Sequence, residues 1–168
     1  VIEEHEARAH EPVRFVRDFV DVALDFEVAV PLLTMQDPTW LSTIANQVAP
    51  RDEGLRAVLG LRAGPLRTPV EVRLATPRRT APDEVQIPMT WSGALAPWLF
   101  PRLDGLLGIS KVAPQLSQLW LEGSYRPPLG RPGLLIDQAL LYRVADSTIR
   151  RFLELVASSL VELARRGA

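Results

Sequence analysis

The stretch from Gly133 to Arg166 constrains this chain most, because it reads as one long amphipathic helix. Leu141, Val144, Ala145, Thr148 (through its methyl), Phe152, Val156, Leu160 and Leu163 recur in steps of three or four and line one face. Arg143, Asp146, Arg150, Arg151, Glu154, Ser158, Glu162 and Arg165 fall on the other side. Pro132 is tolerated near the start, where the first turn needs no N–H from it, and Gly167 suits a left-handed cap at the end. At about 1.5 Å per residue the helix runs to roughly 50 Å, longer than a domain of this size is wide. A rod that long and one-sided needs a broad apolar partner, and the upstream sequence reads as a sheet that supplies it.

The chain in order gives that sheet. Val1 to Pro12 is charged and closed by a proline, so residues 1–13 are expected to form a flexible arm and residues 14–168 a single domain. Val20, Val22, Leu24, Phe26, Val28 and Val30 alternate with Phe19, Asp21, Ala23, Asp25, Glu27 and Ala29, which predicts one long strand that Pro31 ends. Asp21, Asp25 and Glu27 would then share its solvated face. Leu32 to Ala49 is helical in character, with a stripe at Trp40, Leu41, Ile44, Ala45 and Val48 and a stop at Pro50. Gly54, Gly60, Gly64 and Pro65 break the next stretch, leaving a brief strand at Ala57 to Leu61. Period-two alternation then predicts strands at Val70–Leu74, Val85–Trp91, Leu103–Ile109 and Leu119–Tyr125. Pro88 argues for an edge position, a bulge or a break. Trp98-Leu99-Phe100 is expected to cap the sheet in buried form.

The fold class is therefore α+β. A strongly twisted antiparallel sheet wraps the long carboxy-terminal helix, with short helices after the first strand. Such a helix cannot fill a deeply curved sheet along its whole length, so an apolar hollow is expected beneath it.

This order resembles the START-like, or SRPBCC, superfamily with its helix-grip fold, shared by the birch pollen allergen family, START lipid-transfer domains and aromatic polyketide cyclases. The resemblance is carried by Leu119-Trp-Leu-Glu-Gly-Ser-Tyr-Arg-Pro-Pro-Leu-Gly130 and Leu135-Ile-Asp-Gln-Ala-Leu-Leu-Tyr-Arg-Val-Ala-Asp146. These look like the last strand and the head of the final helix in actinobacterial members. Pro69-Val-Glu-Val-Arg73 and Val85-Gln-Ile-Pro-Met-Thr-Trp91 look like two middle strands. The resemblance implies a fold and a pocket but no single chemistry, because the superfamily spans binders, carriers and enzymes.

Composition removes several function classes. A formal charge of −1 gives no electrostatic case for nucleic acid. With no cysteine, thiol catalysis and thiolate metal sites are excluded. The two histidines, His5 and His10, both lie in the amino-terminal arm, so no Ser-His pair or histidine-rich metal set is expected in the domain. There is no P-loop or dinucleotide fingerprint, and no cofactor is expected. No apolar run approaches the ~20 residues of a membrane span, and no signal-peptide pattern is visible, so a cytoplasmic location is expected. The first residue is Val rather than Met, as in a chain whose upstream segment has been processed or trimmed.

What remains is an oily pocket. Tyr125 shares the parity of Leu119 and Leu121, so its ring is expected to point inward, with its hydroxyl on a ligand oxygen or on the backbone. Trp91 and Met89 share the inward face of their strand, Phe26 that of the first strand, and Val144 and Thr148 the stripe of the helix. Trp40 is placed at the pocket mouth. Arg126 is expected to pair with Glu122 on the surface. The sequence thus points to a protein that binds or carries a small hydrophobic molecule, with no catalytic residue assigned. A metal-free cyclase or dehydratase using the same hollow is the alternative, and an interaction module with a collapsed hollow the third reading.

Overall fold

The computed structural model of the chain describes residues 14–35, 39–51, 54–63, 66–93, 102–126 and 138–167, with side chains described over 15–35, 40–41, 44, 70–92, 102–124 and 147–167. The arm at residues 1–13 and the Trp98-Leu99-Phe100 run lie outside the described residues.

Strand β1 (Arg14–Val22) follows the period-two pattern: Val16 and Val20 are half-buried, Val22 is buried, and Phe15 and Phe19 face water. The alternation does not continue to Val30 as a strand. Helix α1 (Phe26–Thr34) begins instead at Phe26, and Pro31 lies inside it rather than ending a strand. The physical reason is Asp25, whose carboxylate accepts from the Glu27 N–H at 2.9 Å while its carbonyl accepts from Ala29. Phe26, Ala29 and Leu33 also recur at helical spacing, and all three are buried. A run of residues compatible with both periods is thus decided by its cap. Consequently Asp21, Asp25 and Glu27 do not share a strand face. Asp21 is exposed on β1, Asp25 caps α1 and Glu27 lies in its first turn.

The single helix expected over Leu32 to Ala49 is also divided. Helix α2 (Thr39–Ile44) carries the fully buried Trp40 and Leu41, and from Ala45 the chain becomes strand β2 (Ala45–Arg51). Pairing with β3 (Gly54–Ala63) overrides the weak helical pattern, because Arg51↔Gly54 and Pro50↔Leu55 close a tight hairpin. The remaining strands are β4 (Leu66–Leu74), β5 (Arg78–Ala81), β6 (Glu84–Gly93), β7 (Arg102–Ala113) and β8 (Leu116–Arg126). All pairings are antiparallel in the order β1-β8-β7-β6-β4-β3-β2, with β5 also on β6.

Pro88 lies inside β6, a central strand, and not at an edge of the sheet. It is tolerated because β4 pairs β6 only as far as Leu74↔Met89, and β5 resumes opposite Gln86. Pro88 faces the step between them, where its carbonyl accepts from the Ala75 N–H at 2.8 Å and no donor is required of it.

Helix α3 (Gln138–Gly167) has 30 residues, about 45 Å of rod. Thr148, Ile149, Phe152, Leu153, Val156, Ala157, Ser159 and Leu160 are buried, while Arg150, Arg151, Glu154, Ser158 and Glu162 are exposed. The helix packs on β1, β3, β8, α1 and α2. Arg150 fastens it to the edge of the sheet by donating to the Phe19 carbonyl at 2.6 Å and pairing with Asp18 at 3.3 Å. Asp18 in turn accepts from the Phe19 N–H, so this part of the β1 edge is occupied from within the chain.

Candidate functional site

The candidate site is the concave face of the curved sheet where it meets α3. Strand parity directs Val70, Val72 and Leu74 of β4, Val85, Ile87, Met89 and Trp91 of β6, Leu103, Leu107 and Ile109 of β7, and Leu119 and Leu121 of β8 into one apolar cluster. From α3, Ile149, Phe152, Leu153 and Val156 meet them. The Trp91 and Phe152 rings pack edge to face, with centroids 6.1 Å apart and planes at 83°. This contact joins the sheet centre to the helix midpoint. Phe152 belongs to the expected stripe but not to the expected site, and only tertiary packing makes it the partner of Trp91.

Six of the eight expected site residues have described side chains, and all six are buried. Met89, Leu121 and Trp91 lie on the sheet, Thr148 on α3, and Phe26 and Trp40 on the short helices. Phe26 therefore reaches the cluster from the first turn of α1 and not from β1. The Trp40 indole N–H donates to the Leu33 carbonyl at 3.0 Å, which satisfies its polar edge inside the core. Tyr125 sits on β8 opposite Leu103 and Arg14, and Val144 lies within α3, but both side chains fall outside the described residues. So does that of Arg126. The described partner of Glu122 is Arg17, at 4.0 Å.

One end of the concave face is fastened by Arg79 of β5. Its guanidinium lies 5.3 Å from the Phe26 ring centroid, pairs with Glu27 at 3.6 Å and donates to the Pro82 carbonyl. Ser117, fully buried, donates to the Leu24 carbonyl at 3.0 Å and ties β8 to the same corner.

The electrostatics separate the two faces of the sheet. The buried polar or charged residues described are Glu71, Ser117, Thr148 and Ser159. Glu71 alternates with the inward Val70 and Val72, and it pairs at 2.7 Å with Arg73, whose side chain is largely exposed. On the same outer side Glu84 accepts hydrogen bonds from Thr80 at 2.7 Å, Gln86 at 2.8 Å and Ser110 at 3.4 Å. The Thr80 hydroxyl contributes most to holding the Glu84 carboxyl below its ordinary value, against a smaller opposing effect of burial. The network continues to Trp120, whose indole N–H donates to Ser110 at 2.9 Å. Its ring covers Gly108, where a Cβ would fall 2.1 Å from a ring carbon. Sequence reasoning missed this network, although the outward parity of Glu84, Gln86 and Ser110 could have grouped them.

Among the described residues no group of three His, Cys, Asp or Glu side chains could hold a metal ion, and no helix is long and apolar enough to cross a membrane. The two arm histidines lie outside them. Chemically, the described concave face offers apolar and aromatic surface.

Similar architectures occur among solved structures. The Zhui aromatase/cyclase of Streptomyces sp. R1128 superposes with a TM-score of 0.63 over 92% of this chain and 95% of its own, at 12% identity. A START superfamily protein of Mycobacterium smegmatis gives 0.58 over 89% and 98%, at 14% identity. The chain has the START-like, SRPBCC fold. Norcoclaurine synthase of Thalictrum flavum, in complex with dopamine and hydroxybenzaldehyde, shares this START-like architecture at a TM-score of 0.59 over 94% and 89%, with 10% identity. No family model matches the sequence, and no curated protein matches it either. These identities establish the helix-grip fold alone.

Proposed function

We propose that the protein binds or carries a small hydrophobic molecule between the concave sheet and α3. The observation that carries this reading is the chemistry of the described concave face: Trp91, Met89, Leu121 and Phe152 present aromatic and aliphatic surface, with Thr148 buried on the same helix as Phe152. Carrying a neutral ligand gains nothing from a desolvated charge, and the described carboxylates and guanidinia lie on the outer face, on the helix surfaces or, for Arg79, at one end of the concave face against Phe26. In this proposal Trp91, Met89, Leu121, Thr148 and Val144 contact the ligand body, Phe26 and Trp40 close one end, and Tyr125 donates its hydroxyl to a ligand oxygen. The proposed setting is the cytoplasm, with residues 14–168 acting as one domain behind a flexible arm.

A second reading, a metal-free cyclase or dehydratase, is supported by the likeness to an aromatase/cyclase at the TM-score given above. In it the hollow folds a reactive chain and supplies much of the rate by positioning. Native mass spectrometry with solvent extraction, on protein purified from its own host, tests both. A stoichiometric apolar molecule recovered unchanged supports the carrier, and one converted to a ring-closed or dehydrated product on incubation supports the enzyme. Protein that returns bare from its host and binds no apolar molecule removes both and leaves an interaction module.

A further inference from the structure

The convex side of the same sheet carries a second surface, independent of the ligand reading. Across β1, β8 and β7 the pairing Phe15↔Ser124 and Ser124↔Asp104 aligns one outward row, and Arg17↔Glu122 and Glu122↔Leu106 the next. Between these rows lies an open trench of about 520 Å³. Its floor is backbone, because the intervening row is Val16, which points inward, and the glycine pair Gly123 and Gly105. At one end stands Phe15, 85% exposed, the most exposed of the large hydrophobic side chains described.

An 85% exposed phenyl ring beside an unfilled trench is a knob and a hole on one face. At about 4.8 Å per strand the trench spans roughly 10 Å from β1 to β7, enough for a phenyl ring. A two-fold axis through this face sets each Phe15 in the trench of the other copy, which is the self-complementarity an isologous interface requires. Charge selects the occupant. The face carries Arg17 with Glu122 at 4.0 Å and Arg102 with Asp104 at 3.1 Å, so the two signs balance. A copy of the same face can exchange these partners, whereas a polyanion or an anionic bilayer meets a carboxylate beside each arginine. The net charge of −1 leaves little repulsion between copies.

We propose that the protein forms a symmetric dimer through the convex face of β1, β8 and β7, with Phe15 of each copy seated in the Gly105–Gly123 trench of the other. Each copy contributes one aromatic knob, so the dimer is expected to be weak, with a dissociation constant on the order of tens of micromolar. Sedimentation velocity on the full chain from about 1 µM to about 300 µM, spanning that constant on both sides, tests it. Wild type shifts from monomer to dimer across the range. Phe15→Ser, which removes the knob, and Leu106→Glu, which charges the trench wall, each weaken association by roughly tenfold or more. Val28→Ser, on an exposed apolar residue of α1, leaves it unchanged. A wild-type monomer at every concentration overturns the proposal and hands the trench to another occupant. A dimer indifferent to Phe15→Ser, or equally weakened by Val28→Ser, overturns it too.

Discussion

Replacing Phe152 by alanine strikes the contact on which the grip of the helix depends. The side chain is fully buried in the middle of α3 and meets Trp91 edge to face. Deleting it removes fully buried aromatic area and the edge-to-face contact with Trp91, and leaves a void at the helix midpoint; the cost is about 4 kcal/mol. Phe152→Leu keeps much of the volume and costs about 1.5 kcal/mol, most of it the lost ring geometry. Against a stability of roughly 5–15 kcal/mol the first change is severe and the second mild. With a urea slope of about 2 kcal/mol per molar, the midpoint falls by about 2 M for alanine and by less than about 1 M for leucine. A cycle with Trp91→Leu isolates the ring pair, for which a coupling of about 0.5–1.5 kcal/mol is expected. An alanine cost below about 1 kcal/mol, or strict additivity with Trp91→Leu, would refute the packing argument.

Three further outcomes are expected. Gly123→Ala places a Cβ 2.8 Å from the Asp104 carbonyl oxygen and 2.9 Å from the Gly105 Cα, both backbone atoms, so β7 and β8 must separate and thermal unfolding should show a loss of about 2 kcal/mol or more. Because the folded Glu84 carboxyl lies below its ordinary value of 4.5, its stabilising contribution is present above that pH and is lost as pH falls through the folded value. Melting curves of Glu84→Gln between about pH 7 and pH 3 should therefore converge on wild type in acid, and curves that stay parallel would contradict the network. Tyr125→Phe should weaken retention of an oxygen-bearing ligand without altering the melting temperature of the empty protein, and unchanged affinity would remove Tyr125 from the site.

Much of this fold is legible where one periodicity acts alone. The α3 stripe through Thr148, Phe152, Val156 and Leu160 has no competing pattern, and the alternation of Val85, Ile87, Met89 and Trp91 has only Pro88 against it. The misreadings occur where two patterns share the same residues. Phe26 and Val30 satisfy a period of two and also the helical spacing through Ala29 and Leu33, and one capping carboxylate at Asp25 decides between them. Ala45 and Val48 fit a helical stripe, yet they join β2 because β3 offers a ladder that sequence order alone does not reveal. Pro88 argues for an edge, a bulge or a break, and sequence order does not show that it faces the step where β4 stops and β5 begins. Inward parity suffices to place Met89, Trp91 and Leu121 in the core beneath the helix. The partnership of Trp91 with Phe152, and the convex network around Glu84, depend on which strands become neighbours.

The most direct test of the proposal is a crystal structure of the protein purified from its own host without added ligand. Density for an apolar molecule is expected between β6 and α3, in contact with Trp91 and Thr148 and with one oxygen near Tyr125. Side chains closing that space completely, with no molecule and no room for one, would contradict it.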